Sequence, residues 1–346
     1  MKSKFNLTFA LLLFSTLFVS AAREEYSKII KTAWVKSSVT ALKVTNKFGE
    51  IKINDLGGDS VTIKVVVTID NSSESKAKDL MDKIQIEFQK TGGLTSAETI
   101  IEDNFKSKQS FTIDYLINIP KDRDLDINNR YGNVVINDLE AKGNFNVSYG
   151  NLTAGRLKAT AGSPVYVELS YGQADIESVN DARMVFKYSK LYIEEVGQLK
   201  LESKYSGSTN LHKVNSLQID SKYDAINIDE IGKLVSVSKY SNFKIGLLKE
   251  NFNLDTGYGS VIISKVDPKF DEIKITNSYG GINIGLNDLN YKLRAECSYC
   301  DVDYPNERFK GDKIRDNQRF SLDGNIGTGG GSVSINSRYG GVKLTE

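Results

Sequence analysis

Apolar and polar residues alternate along most of this chain, and the alternation repeats around a tyrosine. Three successive copies, LQIDSKYDAINIDEI, LVSVSKYSNFKIGLL and FNLDTGYGSVIISKV, carry Tyr223, Tyr240 and Tyr258 at the same place. Because successive side chains of a strand point to opposite faces, an apolar period of two indicates β-strands. Each copy is therefore predicted to form a strand, a turn, a second strand and a corner.

The spacing around each tyrosine predicts which residues face the core. Apolar residues lie three, five and eight positions after it, and they are Ile226, Ile228, Ile231, Phe243, Ile245, Leu248, Val261, Ile263 and Val266. An apolar pair also precedes each tyrosine, and the pairs are Leu217 and Ile219, Val235 and Val237, and Phe252 and Leu254. Both sets are predicted to point inward.

The tyrosine anchors recur at intervals that are typical of a solenoid. They are Tyr131, Tyr149, Tyr171, Tyr188, Tyr205, Tyr223, Tyr240, Tyr258, Tyr279 and Tyr299, with Phe48 as an early copy and Tyr339 as a late one. The intervals from Tyr131 to Tyr299 are roughly 17 to 22 residues, a repeat length at which strand pairs stack and bury one another's apolar faces. The chain is therefore predicted to be all-β, a single-stranded parallel β-solenoid or β-helix, with the right-handed sense that parallel crossovers prefer.

Each anchor is predicted to stand at a corner of the solenoid. A glycine follows it in many copies, as at Gly132, Gly150 and Gly259, and glycine is expected there to supply a positive φ. Tyrosines at the same corner of every turn would form a stacked aromatic ladder. That ladder is interpreted first as structural, with a platform for sugars as the alternative.

The first 21 residues have the pattern of a secretory signal peptide. Lys2 and Lys4 precede an apolar stretch, and small residues end it at Ser20 and Ala21. The apolar stretch is shorter than a membrane anchor requires, and no later segment approaches the length of a membrane span. The mature protein is predicted to be exported to the periplasm or the cell surface, without a transmembrane segment.

Residues 22–346 are predicted to form a single solenoid domain. Residues 57–122 interrupt the repeat and should form a β-rich N-terminal cap with one short helix, for which Ser72 or Ser73 is a suitable N-cap. Regular turns should occupy residues 125–304. Residues 305–346 should form a C-terminal loop and a closing turn, and the glycine cluster within them lacks the features of a phosphate loop.

Three segments carry a resemblance to a known family. LKVTNKFGEIKI, INIPKDRDLDINNRYGNVVI and IGTGGGSVSINSRYGGVKL resemble the bacterial "putative adhesin" domain family. Its members are exported, repetitive β-solenoids of unknown function that are common in Bacteroidetes-type bacteria. The resemblance covers nearly the whole mature chain and implies the fold and an adhesin-like role, but it brings no catalytic residues to this sequence.

Composition and single residues restrict the chemistry further. The net charge is +1 without a basic domain, so nucleic acid is not a predicted partner. His212 is the single histidine, which disfavours triad or metal-hydrolase chemistry, and no cofactor or metal is predicted. Cys297 and Cys300 are candidates for a local disulfide, or are two small corner residues.

A polysaccharide-cleaving enzyme is the least favoured interpretation. Such an enzyme needs clustered carboxylates on adjacent turns, and acidic residues do recur beside the second strand. They are Asp138, Glu177, Glu194, Glu195, Asp229 and Glu230. Their place at a corner is explained equally well by a solvated turn, so no catalytic residue is predicted.

The candidate binding site is a row of lysines. The residue before the anchor is Lys187, Lys204, Lys222 and Lys239 in four consecutive copies, and like charges on neighbouring strands repel. The row could bind an anionic polysaccharide or another envelope polymer. Alternatively, the lysines form a solvated corner and pair with Asp220 or Asp224. The predicted function is a non-catalytic, adhesin-like binding protein of the envelope or surface, with a structural scaffold that binds surface proteins as the alternative.

Overall fold

The computed structural model describes residues 24–55, 58–159 and 162–345, so the predicted signal peptide lies outside the described residues. The chain forms a parallel β-solenoid of about 9 turns with one short helix near the N-terminus. The all-β solenoid prediction is thereby confirmed. No helix within the described residues has the length and apolar character needed to cross a membrane.

Antiparallel strands and a helix cap the N-terminal end. The elements here are β1 (Glu24–Val35), β2 (Ala41–Lys47), β3 (Ile51–Asn54), β4 (Ser60–Asn71), α1 (Glu74–Met81), β5 (Ile84–Thr91), β6 (Leu94–Ile101) and β7 (Phe111–Asn118). Strands β2 and β3 form the first turn and pair in parallel with β6 and β7. Strands β5, β4 and β1 then extend the two sheets in antiparallel pairs. Helix α1 begins directly after Ser73, and its Ala77 and Met81 are buried.

The regular turns follow, with two strands in each. Their strands are β8 (Asp124–Arg130), β9 (Val134–Leu139), β10 (Gly143–Ser148), β11 (Leu152–Leu157), β12 (Val165–Ser170), β13 (Gln173–Lys187), β14 (Lys190–Lys204), β15 (Thr209–Lys222), β16 (Ala225–Lys239), β17 (Asn242–Gly257), β18 (Val261–Val266), β19 (Glu272–Asn277) and β20 (Ile282–Gly285). We call the sheet of the strands that precede the anchors the first sheet, and the sheet of those that follow them the second sheet. The two sheets meet at two corners. One is the tyrosine corner, where the anchors lie. Strands β13 to β17 pass through the second corner without a break.

The last turn in sequence is not the last turn in space. The remaining strands are β21 (Tyr291–Ser298), β22 (Val302–Asp303), β23 (Phe309–Asp316), β24 (Arg319–Ile326), β25 (Gly331–Arg338) and β26 (Val342–Thr345). Strand β25 lies between β19 and β21, and β26 lies between β20 and β22, all in parallel. The β23–β24 hairpin then covers the far edge of β21 with antiparallel pairs. Two short 3-10 turns, Lys36–Ser38 and Asn306–Arg308, complete the fold.

The core consists of the residues that the spacing predicts, with one exception. All nine residues predicted after the anchors are buried, as are Leu217, Ile219, Phe252 and Leu254. The prediction for Val235 and Val237 is wrong, because these side chains are 52% and 58% exposed while Ser236 and Ser238 point inward. We call residues 234–239 the inverted strand.

The register of the neighbouring turns explains the inversion. Ser236 pairs with Ile219 on one side and with Leu254 on the other, and a slip of one residue would turn every side chain to the opposite face. The inversion reduces stability. Each half-exposed valine forgoes on the order of 1 kcal/mol of burial. The buried Ser236 hydroxyl has no hydrogen-bond partner among the described residues, which costs roughly 1–3 kcal/mol.

Candidate binding site

An uninterrupted stack of aromatic rings lines the tyrosine corner. In spatial order the rings are Phe48, Tyr131, Tyr149, Tyr171, Tyr188, Tyr205, Tyr223, Tyr240, Tyr258, Tyr279, Tyr339 and Tyr299. Neighbouring centroids lie 4.6 to 5.2 Å apart, close to the spacing of the strands that carry them. The predicted aromatic ladder is therefore present, and it runs for roughly 50 Å at about 4.8 Å per strand.

The tyrosines, not the glycines, have the positive φ at this corner. Eleven of the twelve anchors have a positive φ, from 52° at Tyr188 to 64° at Phe48, and Tyr279 is the exception; the expectation for the glycines is therefore wrong. At Gly132 glycine is needed for a different reason: a Cβ there would lie 1.9 Å from the carbonyl oxygen of Gly49 in the adjacent turn. A left-handed conformation costs an ordinary residue about 1–2 kcal/mol. Ring stacking, worth about 0.5–1.5 kcal/mol per pair, offsets that cost.

The ladder presents ring edges rather than ring faces to solvent. Each inner tyrosine is covered on both faces by its neighbours, with interplanar angles of 1° between Tyr223 and Tyr240 and 3° between Tyr149 and Tyr171. The rings are nevertheless about half exposed, for example 51% at Tyr205. What remains accessible is a row of phenol hydroxyls and ring edges. A sugar therefore cannot stack face to face on these inner rings.

The structure brings the four predicted lysines into one row on the first sheet. Lys187 pairs with Lys204, Lys204 with Lys222, and Lys222 with Lys239 in the parallel register. Their backbones are therefore about 4.8 Å apart. Lys187 contacts Glu168 at 3.5 Å. We call Lys204, Lys222 and Lys239 the free lysines, because no carboxylate among the described residues lies within ion-pairing distance of them.

The expected pairing of the lysines with Asp220 or Asp224 is not found. Asp224 is 4% exposed, and its carboxylate accepts hydrogen bonds from the backbone N–H of Ser206 at 2.7 Å and of Lys222 at 3.2 Å. Burial raises the pKa of the Asp224 carboxyl, and the backbone donors oppose that shift. Asp224 therefore stabilises the turn from inside, while the ammonium groups stay in solvent.

Two grooves lie between the ladder and the outer face of the first sheet, where the residue before the anchor is small. One groove, of about 380 Å³, lies at Ser148 and Ser170, and a second, of about 370 Å³, lies at Gly257 and Ser278. At either end of the row of turns, an arginine lies over the ladder. The Arg130 guanidinium is 4.8 Å from the Tyr131 ring and that of Arg338 is 5.1 Å from the Tyr339 ring.

The charges near the second corner, in contrast, are largely paired between neighbouring turns. Asp138 binds Arg156 at 2.6 Å, Glu140 binds Lys158 at 3.0 Å, Glu230 binds Lys249, and His212 lies between Asp229 at 2.7 Å and Glu194 at 3.7 Å. The hydrogen bond from Arg156 lowers the pKa of the Asp138 carboxyl. Four of the six acidic residues considered for catalysis thus have basic partners. Within residues 24–55, 58–159 and 162–345, no group of three or more His, Cys, Asp or Glu residues is placed to hold a metal ion.

A wider depression of about 500 Å³ lies over the C-terminal hairpin. Four of its six charged side chains bind each other: Arg294 contacts Asp323 at 2.7 Å, and Arg319 contacts Glu296 at 2.8 Å. These groups are less available to a ligand than the free lysines are. Size alone therefore does not make this depression the better candidate.

Cys297 and Cys300 are joined by a disulfide, with their Cα atoms 5.4 Å apart. They flank Tyr299, the last ring of the ladder. The Cys297 side chain is fully buried. The bond therefore closes the tyrosine corner at the C-terminal end of the stack.

No family model and no curated protein matches the chain. A comparison with solved structures finds similar chains. A "putative adhesin" from Bacteroides fragilis is 11% identical with a TM-score of 0.33, covering 74% of this chain and 96% of that one. A "putative adhesin" and a "putative lipid binding protein" from Parabacteroides distasonis are each 10% identical, with TM-scores of 0.31 and 0.33, and each covers 92% of this chain and 97% of its own. At such low identity and TM-score the likeness says nothing about what this chain binds. The name putative adhesin is that of the family which the sequence resembles.

Proposed function

We propose that this chain is a non-catalytic binding protein of the cell envelope or surface that holds an anionic polymer along its row of lysines. The observation that supports this most directly is the difference between the two corners. The free lysines repeat at strand spacing with no carboxylate partner, whereas most charges at the second corner are paired. An uncompensated row of cations attracts anions and raises their local concentration.

The shape of the row favours a long ligand over a small anion. A small anion would meet one or two ammonium groups, but a polymer that lies along the solenoid would meet them in succession. Lys47, Arg130 and Arg338 occupy the equivalent position in other turns, and they extend the positive charge toward both ends. The two grooves leave room for the polymer where the row is interrupted. An acidic polysaccharide is the envelope polymer that we propose.

Export of the protein rests on two features of the chain. The N-terminal sequence has the pattern of a signal peptide. The disulfide between Cys297 and Cys300 suits an oxidising compartment such as the periplasm or the cell exterior. In either place the lysine row would meet envelope or extracellular polysaccharides.

A structural scaffold is the second candidate, and strand β1 favours it. This strand pairs only with β4 among the described elements, so one edge is free along twelve residues. Ile29 and Val35 on it are 52% and 65% exposed. A free strand edge can pair with another chain. A scaffold would therefore self-associate, which sedimentation of the purified protein would detect.

Charge reversal on the row tests the binding function. The variant Lys204→Glu/Lys222→Glu/Lys239→Glu should bind an immobilised acidic polysaccharide at least about tenfold more weakly than the unmodified protein, since each charge-assisted contact contributes about 0.5 kcal/mol or more. The matched control, Lys190→Glu/Lys244→Glu/Lys265→Glu, changes net charge equally at exposed positions of the second sheet. Retained binding in the first variant, or equal loss in both, would contradict the proposal. New reducing or unsaturated sugar ends in the same incubations would instead reveal an enzyme.

A further inference from the structure

The inverted strand places two apolar side chains on the outer surface, next to the free lysines. Val235 and Val237 are more than half exposed, although the same strand buries Ser236 and Ser238. Natural sequences that break a local rule at the expense of stability often do so at functional sites. The exposed valines are therefore candidates for contact with a ligand.

Four polar side chains flank these valines at the distance of one strand. Gln218 and Asn253 lie on either side of Val235, and Asp220 and Asp255 lie on either side of Val237. All four are exposed, and none makes a side-chain hydrogen bond or ion pair with another residue in the part of the chain that is described. Next along the strands are Lys222 and Lys239. The patch thus combines an apolar centre, free acceptors and amides on both sides, and free cations at one end.

We infer that this patch is a sugar-ring subsite, and that the lysine row is therefore selective for acidic glycans over other polyanions. A sugar ring has an apolar C–H face that fits on Val235 and Val237. Hydroxyl groups at its rim can donate to the carboxylates of Asp220 and Asp255. An acidic substituent on the same or the next sugar would then reach Lys222 or Lys239. This inference rests on the proposed function and names the chemistry of its ligand.

Other occupants fit the patch less well. An acyl chain over the valines would strip water from Asp220 and Asp255 without giving them a partner, which is costly for a charged group. A protein partner needs an interface of about 800 Å² on each side, far more than two valines supply as an apolar centre. A polyphosphate has no apolar face, and the two aspartates would repel it. The mixed signs of charge around an apolar centre favour a polyhydroxylated acid.

The patch adjoins one of the two grooves beside the ladder. Val237 and Lys239 line the groove at Gly257, together with Tyr240 and Tyr258. A glycan on the valines can therefore extend along the groove, where the phenol hydroxyls offer further hydrogen bonds. The patch lies at the end of the four-lysine row, so one chain can contact both.

Two double variants and three polymers test the subsite. The polymers are a soluble polyuronate, the same polymer with its carboxyl groups reduced to alcohols, and polyphosphate. Val235→Thr/Val237→Thr keeps the β-branched shape but removes apolar surface, and Val135→Thr/Ile262→Thr is its control on the second sheet. We expect the first to bind the polyuronate about tenfold more weakly and polyphosphate equally, because only the sugar uses the apolar face. The control should bind both as the unmodified protein does.

The second double variant, Asp220→Ala/Asp255→Ala, should change the two affinities in opposite directions. Loss of two negative charges favours any polyanion, so polyphosphate should bind more tightly. The polyuronate should bind more weakly, since its hydroxyl groups lose their partners. The reduced polymer should bind weakly to the unmodified protein and more weakly still to both patch variants.

The possible outcomes separate the subsite from the proposed function. If both polyanions bind the aspartate variant more tightly, and the valine variant binds unchanged, the lysine row stands and the subsite is overturned. If the Lys204→Glu/Lys222→Glu/Lys239→Glu variant retains the polyuronate while both patch variants lose it, the subsite stands and the role of the row is overturned. If the unmodified protein binds none of the three polymers, both are overturned. Each variant should first be shown to melt near the temperature of the unmodified protein.

Discussion

Tyr240 stacks on Tyr223 with their ring centroids 4.7 Å apart and their planes 1° from parallel, and the strand that joins these two tyrosines buries Ser236 and Ser238. If the strand slipped by one residue, Val235 and Val237 would enter the core, but Leu234 would leave the core and Tyr240 would leave the ladder. The aromatic corner and Leu234 together therefore outweigh the burial of the two valines. The same corner aligns the lysine that precedes each tyrosine, so the ladder and the candidate binding row have one structural cause.

Ser236→Val should stabilise the protein by about 1 kcal/mol, because it buries a larger apolar side chain and removes a buried hydroxyl that has no hydrogen-bond partner in the described part of the chain. Urea unfolding followed by circular dichroism would measure the difference. Ser238→Val is the matched control, since Ser238 donates a hydrogen bond to Thr256 at 2.9 Å and its loss should cancel the gain. Destabilisation by Ser236→Val would instead mean that the space around Ser236 is already filled.

Tyr223→Ala should destabilise the protein more than Tyr223→Gly does. Both changes remove two ring contacts, but Tyr223 has a φ of 60°, which alanine adopts at a cost and glycine does not. The two variants should differ by about 1 kcal/mol in free energy of unfolding. Tyr223→Phe keeps the stack and should change stability little. An alanine variant as stable as the glycine variant would show that the left-handed conformation relaxes when the ring is lost.

The sequence predicted the features that depend on spacing within one repeat. A tyrosine at a fixed place in each copy was sufficient to predict the solenoid, the ladder and the inward residues after each anchor. It was also sufficient to predict the alignment of Lys187, Lys204, Lys222 and Lys239. These features follow because stacked copies with the same pattern share one register. The apolar pattern failed at Val235 and Val237, where the neighbouring turns determined the direction of the side chains.

Features that depend on which copies are neighbours could not be predicted. All repeats present similar edges, so nothing in the residues of β25 specifies that it lies between β19 and β21. The sequence also could not show whether these aspartates pair with the lysines. Asp220 and Asp224 both lie two residues from Lys222, and they differ in burial, since Asp220 is exposed and Asp224 is buried. The structure was therefore needed to show that the lysines of the candidate site have no ion-pair partner among the described residues.

Gly150→Ala should destabilise the protein strongly. A Cβ at this position would lie 1.9 Å from the carbonyl oxygen of Gly132, and the backbone there is held by hydrogen bonds to both neighbouring turns. We expect a loss of about 3 kcal/mol or more in the free energy of unfolding, as for severe overpacking. Gly341→Ala is the control, since no atom lies within 4 Å of its Cβ. If both variants unfold at the same urea concentration, close approach of the turns is not what requires glycine.

The single histidine should give the protein a measurable dependence on pH. The hydrogen bond to Asp229, aided by the charge of Glu194, raises the pKa of His212 above its ordinary value of 6.5. Because the folded state binds the proton more tightly, this contribution to stability is fully present below about pH 6.5 and is lost as pH rises through the higher pKa of the folded state. The difference in melting temperature between the unmodified protein and His212→Gln should therefore shrink from pH 5.5 to pH 8.5. Asn215→Ala, which removes an exposed and uncharged side chain of the same strand, should show a constant difference. A His212→Gln difference that stays constant or grows with pH would mean that the histidine is not held in its charged form by these two carboxylates.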